Sequence, residues 1–415
     1  MEITDSKATT DKGTDAPHDA ERAQLEAAYR TLFAWCRARD FAGHDPFDAL
    51  NSRLFQATPL RRSRLARLVW TQAFKRAPVN LRPLARVPAE RNAKGSALFA
   101  LAALARYRTT RAPADEQTAR TLTSDLLALA CAGWHGAAWG YNFDWQGRAF
   151  YAPRGTPAIV PTAFAARALV EAADALADEH YLRVARSTCD FILRDLHRSA
   201  ESADEVCFSY TPHDDTRVFN ASLLAAETLA EVGTRTGEPT LCDWALRAAR
   251  YVARRQRADG SWAYGADSYQ AWADNFHTAF ILTSLARIMR AWPHARTEFV
   301  PTLTRGYQFW RANFFLPDGW PKYFPDRRYP ADAHSAAAAI VALVELTEFD
   351  ADALAFARKV AQWALRELRD PAAGFFYYQR RRRYTIRTPY MRWAQAWMLY
   401  ALATLIERTK PRAEG

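Results

Sequence analysis

Gln256-Arg-Ala-Asp-Gly-Ser-Trp262-Ala-Tyr264 runs on through Trp272-Ala-Asp274-Asn275-Phe-His277-Thr278 into an apolar segment that continues to Met289. Before this stretch, residues 243–255 carry apolar side chains at helical spacing on one side only. After it, residues 275–289 are apolar nearly all round. A helix with one apolar stripe is half-buried, and one that is apolar on every side is enclosed. The unit is therefore an outer helix, a Gly-aromatic turn, a polar helix entrance and an inner helix.

The unit recurs. Buried helices are expected at 96–107, 162–175, 219–232, 275–289, 334–346 and 390–406, and amphipathic ones at 118–132, 181–198, 243–255, 299–314 and 351–369. Taken from Gly95, Pro161, Val218, Ala273, Asp332 and Pro389, the inner starts are separated by 66, 57, 55, 59 and 57 residues. A constant period of this size marks a repeat architecture. Enclosed helices alternating with half-buried ones fit a ring within a ring, with a helix at 20–39 closing the outer one. The fold class is all-α, an (α/α)6 toroid of six inner and six outer helices. Residues 1–18 lack periodicity and read as a disordered leader. Residues 19–410 read as a single domain, with 19–90 as closing helices and 91–408 as the repeat units.

The net charge of +11 comes mainly from arginine spread over helix faces, and the sole run is Arg380, Arg381, Arg382 and Arg383. Dispersed charge argues against nucleic acid and leaves an acidic substrate or a peripheral membrane contact through a basic surface. The five cysteines, Cys36, Cys131, Cys189, Cys207 and Cys242, include no CxxC pair, so neither a disulfide framework nor a cysteine zinc site is expected. The N-terminus has no apolar signal segment and no stretch is long enough to span a bilayer, which predicts a cytoplasmic protein. No cofactor or metal is demanded by any spacing, and the oligomeric state is left open.

In such a ring the loops before the inner helices open at one end. Aligning the helix entrances sets Asn275-Phe-His277-Thr278 over Asp332-Ala-His334-Ser335, with Tyr390-Met-Arg392-Trp393 in the sixth unit. Asp214, Asp215, Arg217 and Asn220 come from the third unit, and Trp139, Tyr141, Asp144, Trp145 and Arg154 from the second. Trp262, Tyr264 and Asp274 complete the fourth. Aromatic rings stack on pyranose faces while carboxylates and amides bond hydroxyls, so this composition predicts a sugar site. Some of these residues have structural roles open to them: an Asp before a helix also caps it, and Trp262 after Gly260 also suits a packing wedge.

Gln256-x3-Gly260-x-Trp262 resembles the glutamine–tryptophan signature of squalene cyclases and prenyltransferases, whose acid cluster and zinc ligands have no match here. A broader set covers about residues 90–408. It comprises Phe143-Asp-Trp-Gln-Gly-Arg, Tyr210-Thr-Pro-x-Asp-x-Thr-x-Val-Phe-Asn-Ala-Ser222, Asp259-Gly-Ser-Trp-x-Tyr-Gly, Trp272-x-Asp-Asn-Phe-His-Thr278, Tyr329-Pro-x-Asp-x-His-Ser335 and Pro389-Tyr-x-Arg-Trp-x-Gln-Ala-Trp397. Together these resemble an uncharacterised bacterial toroid family found in exopolysaccharide and lipopolysaccharide clusters. Its members are often labelled delta-aminolevulinic acid dehydratase, a chemistry whose β/α barrel and cysteine zinc site are not visible in this sequence. More distantly the chain resembles six-hairpin glycosidase-like toroids. The resemblance implies surface-polysaccharide biosynthesis and brings no established catalytic residues.

The expected activity is therefore binding or modification of a sugar, or of a nucleotide-linked or lipid-linked glycan. For an epimerase or lyase, His277 and His334 are the base and acid, with Asn275 near a developing enolate and Arg392, Arg154 or Arg217 beside a substrate carboxylate. For a hydrolase, a pair from Asp144, Asp214, Asp215 and Asp332 replaces the histidines. A non-catalytic glycan-binding or scaffold protein and a terpenoid cyclase are the alternatives from other classes.

Overall fold

The computed structural model describes residues 15–147 and 150–410. Residues 1–14 of the expected leader and Arg148 of the family-like motif lie outside the described residues. The rest of that leader is already helical, because α1 spans Asp15–Arg37. In chain order there follow α2 (Arg53–Gln56), α3 (Arg64–Arg76), α4 (Ala93–Thr110), α5 (Pro113–Leu127), α6 (Ile159–Leu176) and α7 (Glu179–Arg194). Next come α8 (Phe219–Thr236), α9 (Pro239–Ala253), α10 (Asn275–Ala291), α11 (Arg296–Asn313), α12 (Ala333–Glu345) and α13 (Ala353–Glu367). A π-helical turn, Met391–Ala396, leads into α14 (Trp397–Arg408).

The expected toroid is present. Helices α4, α6, α8, α10, α12 and α14 pack each on the next, and α14 returns to α4. Outside them, α5, α7, α9, α11 and α13 each pack on the inner helix that precedes them, and α1 packs on α14. The inner helices are enclosed almost to the last residue and rich in alanine, whose small side chain lets neighbouring helices approach closely. No helix among the described residues is long and apolar enough to cross a membrane.

The Gly-aromatic turns wedge the outer helices apart at fixed spacing. Trp262 is enclosed and donates from Nε1 to the Val252 carbonyl in α9. Its ring presses on Gly306 of α11, where an added Cβ would sit 2.3 Å from Trp262 Cζ3. Gln256 donates to the carbonyls of Gly260 and Thr302, tying the turn to the same helix. The glutamine–tryptophan signature is thus a packing device here.

At the end of the ring opposite the helix entrances, arginines and glutamates replace the apolar core. Arg108 of α4 pairs with Glu171 of α6 at 3.1 Å and with Glu407 of α14 at 2.6 Å. Arg167 of α6 pairs with Glu227 of α8, and Arg287 of α10 pairs with Glu231 of α8 at 3.2 Å and Glu345 of α12 at 2.5 Å. This belt touches all six inner helices and closes the floor.

Two features depart from a plain double ring. Short antiparallel strands, at 145–146 with 151–152 and at 331–332 with 379–380 and 385–386, stiffen the entrance loops. The second of the expected closing helices, α3, takes no place in the outer ring and lies across the mouth, contributing Leu68, Gln72, Lys75 and Arg76 to the cavity wall.

Candidate active site

A cavity of about 1000 Å³ opens at the entrances of the inner helices. The caps set its register. Asn92, Asp274 and Asp332 accept hydrogen bonds from the first-turn amides of α4, α10 and α12, which is what Asn and Asp do best at that position. Counting two residues past the cap in each unit gives Lys94, Val160, Asn220, Phe276, His334 and Arg392. All six line the cavity. One position of the first turn, repeated six times, therefore builds the floor of the site.

This register corrects the alignment of the two histidines. Asp274 caps the amide of His277 at 3.0 Å, and Asp332 caps the amide of Ser335 at 2.7 Å. His277 is thus equivalent to Ser335, and His334 to Phe276. Both histidines reach the cavity, but from positions one residue apart, and a step of one residue turns a helix by about 100°. Their surroundings differ accordingly. His277 Nδ1 lies 2.7 Å from Asp274 Oδ2, an oxygen that also accepts from Trp272 Nε1 at 3.2 Å. Asp274, expected to bind substrate, instead caps α10 and orients His277.

His334 is 1% exposed and neither ring nitrogen has a hydrogen-bond partner among the described residues. It stacks between Phe276 at 4.5 Å and Trp397 at 4.9 Å, with the edge of Trp393 at 4.2 Å. Burial, reinforced by Lys94, Arg392, His277 and Lys75, holds its pKa well below the ordinary histidine value. The imidazole is neutral at pH 7.

Of the other expected binding residues, Tyr141, Trp145, Asn220, Tyr264, Arg392 and Trp393 face the cavity. Tyr264 stacks on Trp272 at 4.8 Å, and the hydroxyl groups of Tyr141 and Tyr210 meet at 3.3 Å. Asn220 Oδ1 has no hydrogen-bond partner among the described residues, so it is available to a hydroxyl. Arg392 is already satisfied in part, its Nε and Nη2 donating to both oxygens of the enclosed Asp45 at 2.6 and 2.8 Å. Its charge is therefore compensated before any substrate arrives.

The remaining expected residues are not brought to the cavity. Asn275 is enclosed, donating to the Lys322 carbonyl at 2.9 Å and accepting from Trp310 Nε1 at 3.0 Å, so it holds α10 to the next turn. Asp332 is spent on its cap, and burial raises its pKa. Asp214 bends its own loop through the amides of Thr211 and Thr216, and Asp215 lies on the surface beside His197 at 2.7 Å. Asp144 accepts from the Arg154 amide at 2.8 Å, while the Arg154 guanidinium pairs with Glu90 at 2.9 Å. Arg217 pairs with Asp267 at 2.6 Å. Trp139 and Tyr390 are enclosed, the first donating to the Leu126 carbonyl and the second accepting from Arg82. Trp262 is the packing wedge described above.

Sequence reading missed the contributions of the first 94 residues. Lys94 is 2% exposed, its ammonium site lying 4.5 Å from the Phe164 ring and 5.1 Å from those of Phe280 and Trp397. Lys75 hangs from α3 over Phe47 at 4.3 Å. The signal for Lys94 was its place two residues after Asn92, legible once the caps fix the register.

No family model matches the chain, and no curated protein sequence matches it. Solved structures do match in fold. An unsaturated glucuronyl hydrolase specific for heparin superposes with a TM-score of 0.62 at 13% identity, covering 94% of this chain and 97% of that one. A cellobiose 2-epimerase from Bacillus thermoamylovorans gives 0.61 at 12% identity over 78% of this chain and 90% of that one. A D-mannose isomerase gives 0.59 at 13% identity over 77% and 86%. At such identities the likeness is one of fold.

Proposed function

We propose that the protein is a sugar epimerase or isomerase that moves a proton at the carbon next to a sugar carbonyl. The observation that carries this reading is the pairing of two unlike histidines in one aromatic cavity. Asp274 holds His277 Nδ1, which leaves Nε2 to take a proton from carbon and stabilises the imidazolium that forms. His334, kept neutral, donates a hydrogen bond to the oxygen on which the enediolate charge develops. For the isomer, the His277 imidazolium returns the proton on the same face to the former carbonyl carbon while the neighbouring hydroxyl proton passes to the former carbonyl oxygen; for the epimer, a water protonates the original carbon from the opposite face and the imidazolium gives its proton back to the hydroxide left behind.

Glycoside hydrolysis needs two free carboxyl groups across the scissile bond. Among the described cavity residues the carboxylates are Asp274, engaged by His277, and Asp326, paired with Arg327 at 2.7 Å. The polar floor likewise disfavours a terpenoid cyclase. Following the motif resemblance, we set the reaction in bacterial surface-polysaccharide biosynthesis on the cytoplasmic side.

The test is wash-in of deuterium from heavy water, followed by NMR, at the carbon beside the anomeric centre of reducing sugars. We expect exchange that His277→Asn abolishes and His334→Phe lowers by at least ~100-fold. A protein that binds these sugars and exchanges none of them is a glycan-binding protein, and the proposal falls.

A further inference from the structure

We infer that the cavity is built for a sugar bearing an oxyanion, a carboxylate or a phosphate, seated between Lys94 and Lys75 beside His334. This rests on the cavity being a sugar site and names the class of sugar. The wall carries Lys75, Arg76, Lys94, Arg327 and Arg392 against only Asp274 and Asp326. Arg392 and Arg327 have carboxylates of their own, whereas neither lysine ammonium has a hydrogen-bond or ion-pair partner among the described residues. A lysine enclosed without a counter-charge costs stability, and a protein keeps one where a ligand supplies the missing partner. The two lysines converge: Lys94 lies against Trp397, Lys75 is 5.8 Å from the Trp393 ring, and His334 touches both tryptophans. Six helix entrances around the floor add their positive ends to the same potential.

Binding should then move a proton. Without ligand, burial together with Arg392 of the π turn and Arg167 of α6 holds the Lys94 pKa well below its usual value, against the weaker pull of Asp45, while Lys75 sits at about 8. An anion restores the charged form of Lys94, so association takes up a proton and weakens as pH rises. Titration calorimetry with D-glucuronate, D-glucose 6-phosphate and D-glucose, in two buffers of different ionisation heat, reads both effects. We expect preference for at least one anionic sugar over glucose by about tenfold or more, with proton uptake. Lys94→Met and Lys75→Met should each erase that preference, read as the ratio of anionic-sugar to glucose affinity within the same variant. The two anions distinguish carboxylate from phosphate recognition. Equal affinity for glucose, or preference that survives both variants, overturns the inference. Proton exchange on a neutral sugar would still stand in that case, so the two readings fail separately.

A different observation carries a second proposal: the face of α2 and α3 beside the cavity mouth docks on an anionic lipid surface. Most of the large exposed apolar side chains fall within one segment of the N-terminal region, with Leu65 at 71%, Val69 at 60% and Leu60 at 55% exposure, joined by Leu54, Val79 and Leu84. Leu65 and Val69 share one face of α3, and the helix packs against the turn that holds Leu60. Arg61, Arg62 and Arg76 are exposed among them, giving the mixture of apolar and cationic side chains that seats a helix in a headgroup layer. Co-sedimentation with phosphatidylcholine vesicles containing about 30 mol% phosphatidylglycerol should pull the protein down, and vesicles without the anionic lipid should not. The pair Leu65→Asp and Val69→Asp, both on the solvent side, should abolish pelleting and leave the melting temperature unchanged. No pelleting, or a reversible dimer lost in the same variants, overturns it.

Discussion

His277 and His334 line one cavity from neighbouring inner helices, yet His277 has a carboxylate on its ring, Asp274 at 2.7 Å, while neither nitrogen of His334 has a hydrogen-bond partner among the described residues. The asymmetry follows from the one-residue offset of the two side chains from their caps. It divides the roles of base and hydrogen-bond donor between them.

Replacing Asp274 by Asn keeps an acceptor for the α10 amide and removes the charge that steadies the imidazolium. We expect kcat to fall by at least ~100-fold with KM little changed, and the melting temperature to move by only a few degrees. A variant that loses stability and keeps kcat would show Asp274 to be a cap alone.

The enclosed His334 should cost the protein stability as the solution is acidified. His334 has a folded pKa below its unfolded value of 6.5, so the unfolded chain binds its proton more readily and stability is lost as pH falls through and below that value. His44, also lowered by burial, acts in the same direction. Between pH 5 and 7.5 the denaturant midpoint of the wild type should gain on that of His334→Phe as pH rises. Identical slopes in the two proteins would contradict the assignment of a neutral imidazole.

Lys94→Met should make the protein more stable at pH 7, raising the melting temperature by about 2 °C or more, because an enclosed amine with no hydrogen-bond or ion-pair partner among the described residues is replaced by an apolar chain of similar length. Function and stability then oppose one another at this position. A lower melting temperature would mean that Lys94 has a structural partner.

Asn275→Ala tests the reassignment of a residue first read as catalytic. It strips bonds from the enclosed Trp310 Nε1 and from the half-buried Lys322 carbonyl, at a cost of about 1–3 kcal/mol. The activity of the folded fraction should stay near wild type. A fall in kcat beyond tenfold, with stability intact, would return Asn275 to the chemistry.

The double ring was legible because it rests on repeated properties: apolar content, amphipathicity and a Gly-aromatic turn at near-constant spacing. The cavity was half legible. Tyr141, Trp145, Tyr264 and the histidines lie in repeated slots, so the period brought them together. Asp214, Asp332 and Trp139 were misread because a loop brace, a cap and an enclosed core tryptophan use the same residue types as a sugar site. Asp45, Lys75 and Lys94 escaped for another reason. Asp45 and Lys75 lie outside the repeat, and Lys94 sits in a unit whose entrance is an asparagine cap with no aromatic turn before it.

The arginine–glutamate belt has a consequence for assembly. Arg108 and Glu407 meet 299 positions apart in the chain, joining the first inner helix to the last. A growing chain can stack its hairpins one by one, yet this clasp stays open until the last hairpin has been synthesised. Each unfinished chain carries an Arg108 that can hold Glu171 of α6 and still lacks Glu407. The toroid is therefore sealed in one late step, and its floor is the last part to become a floor.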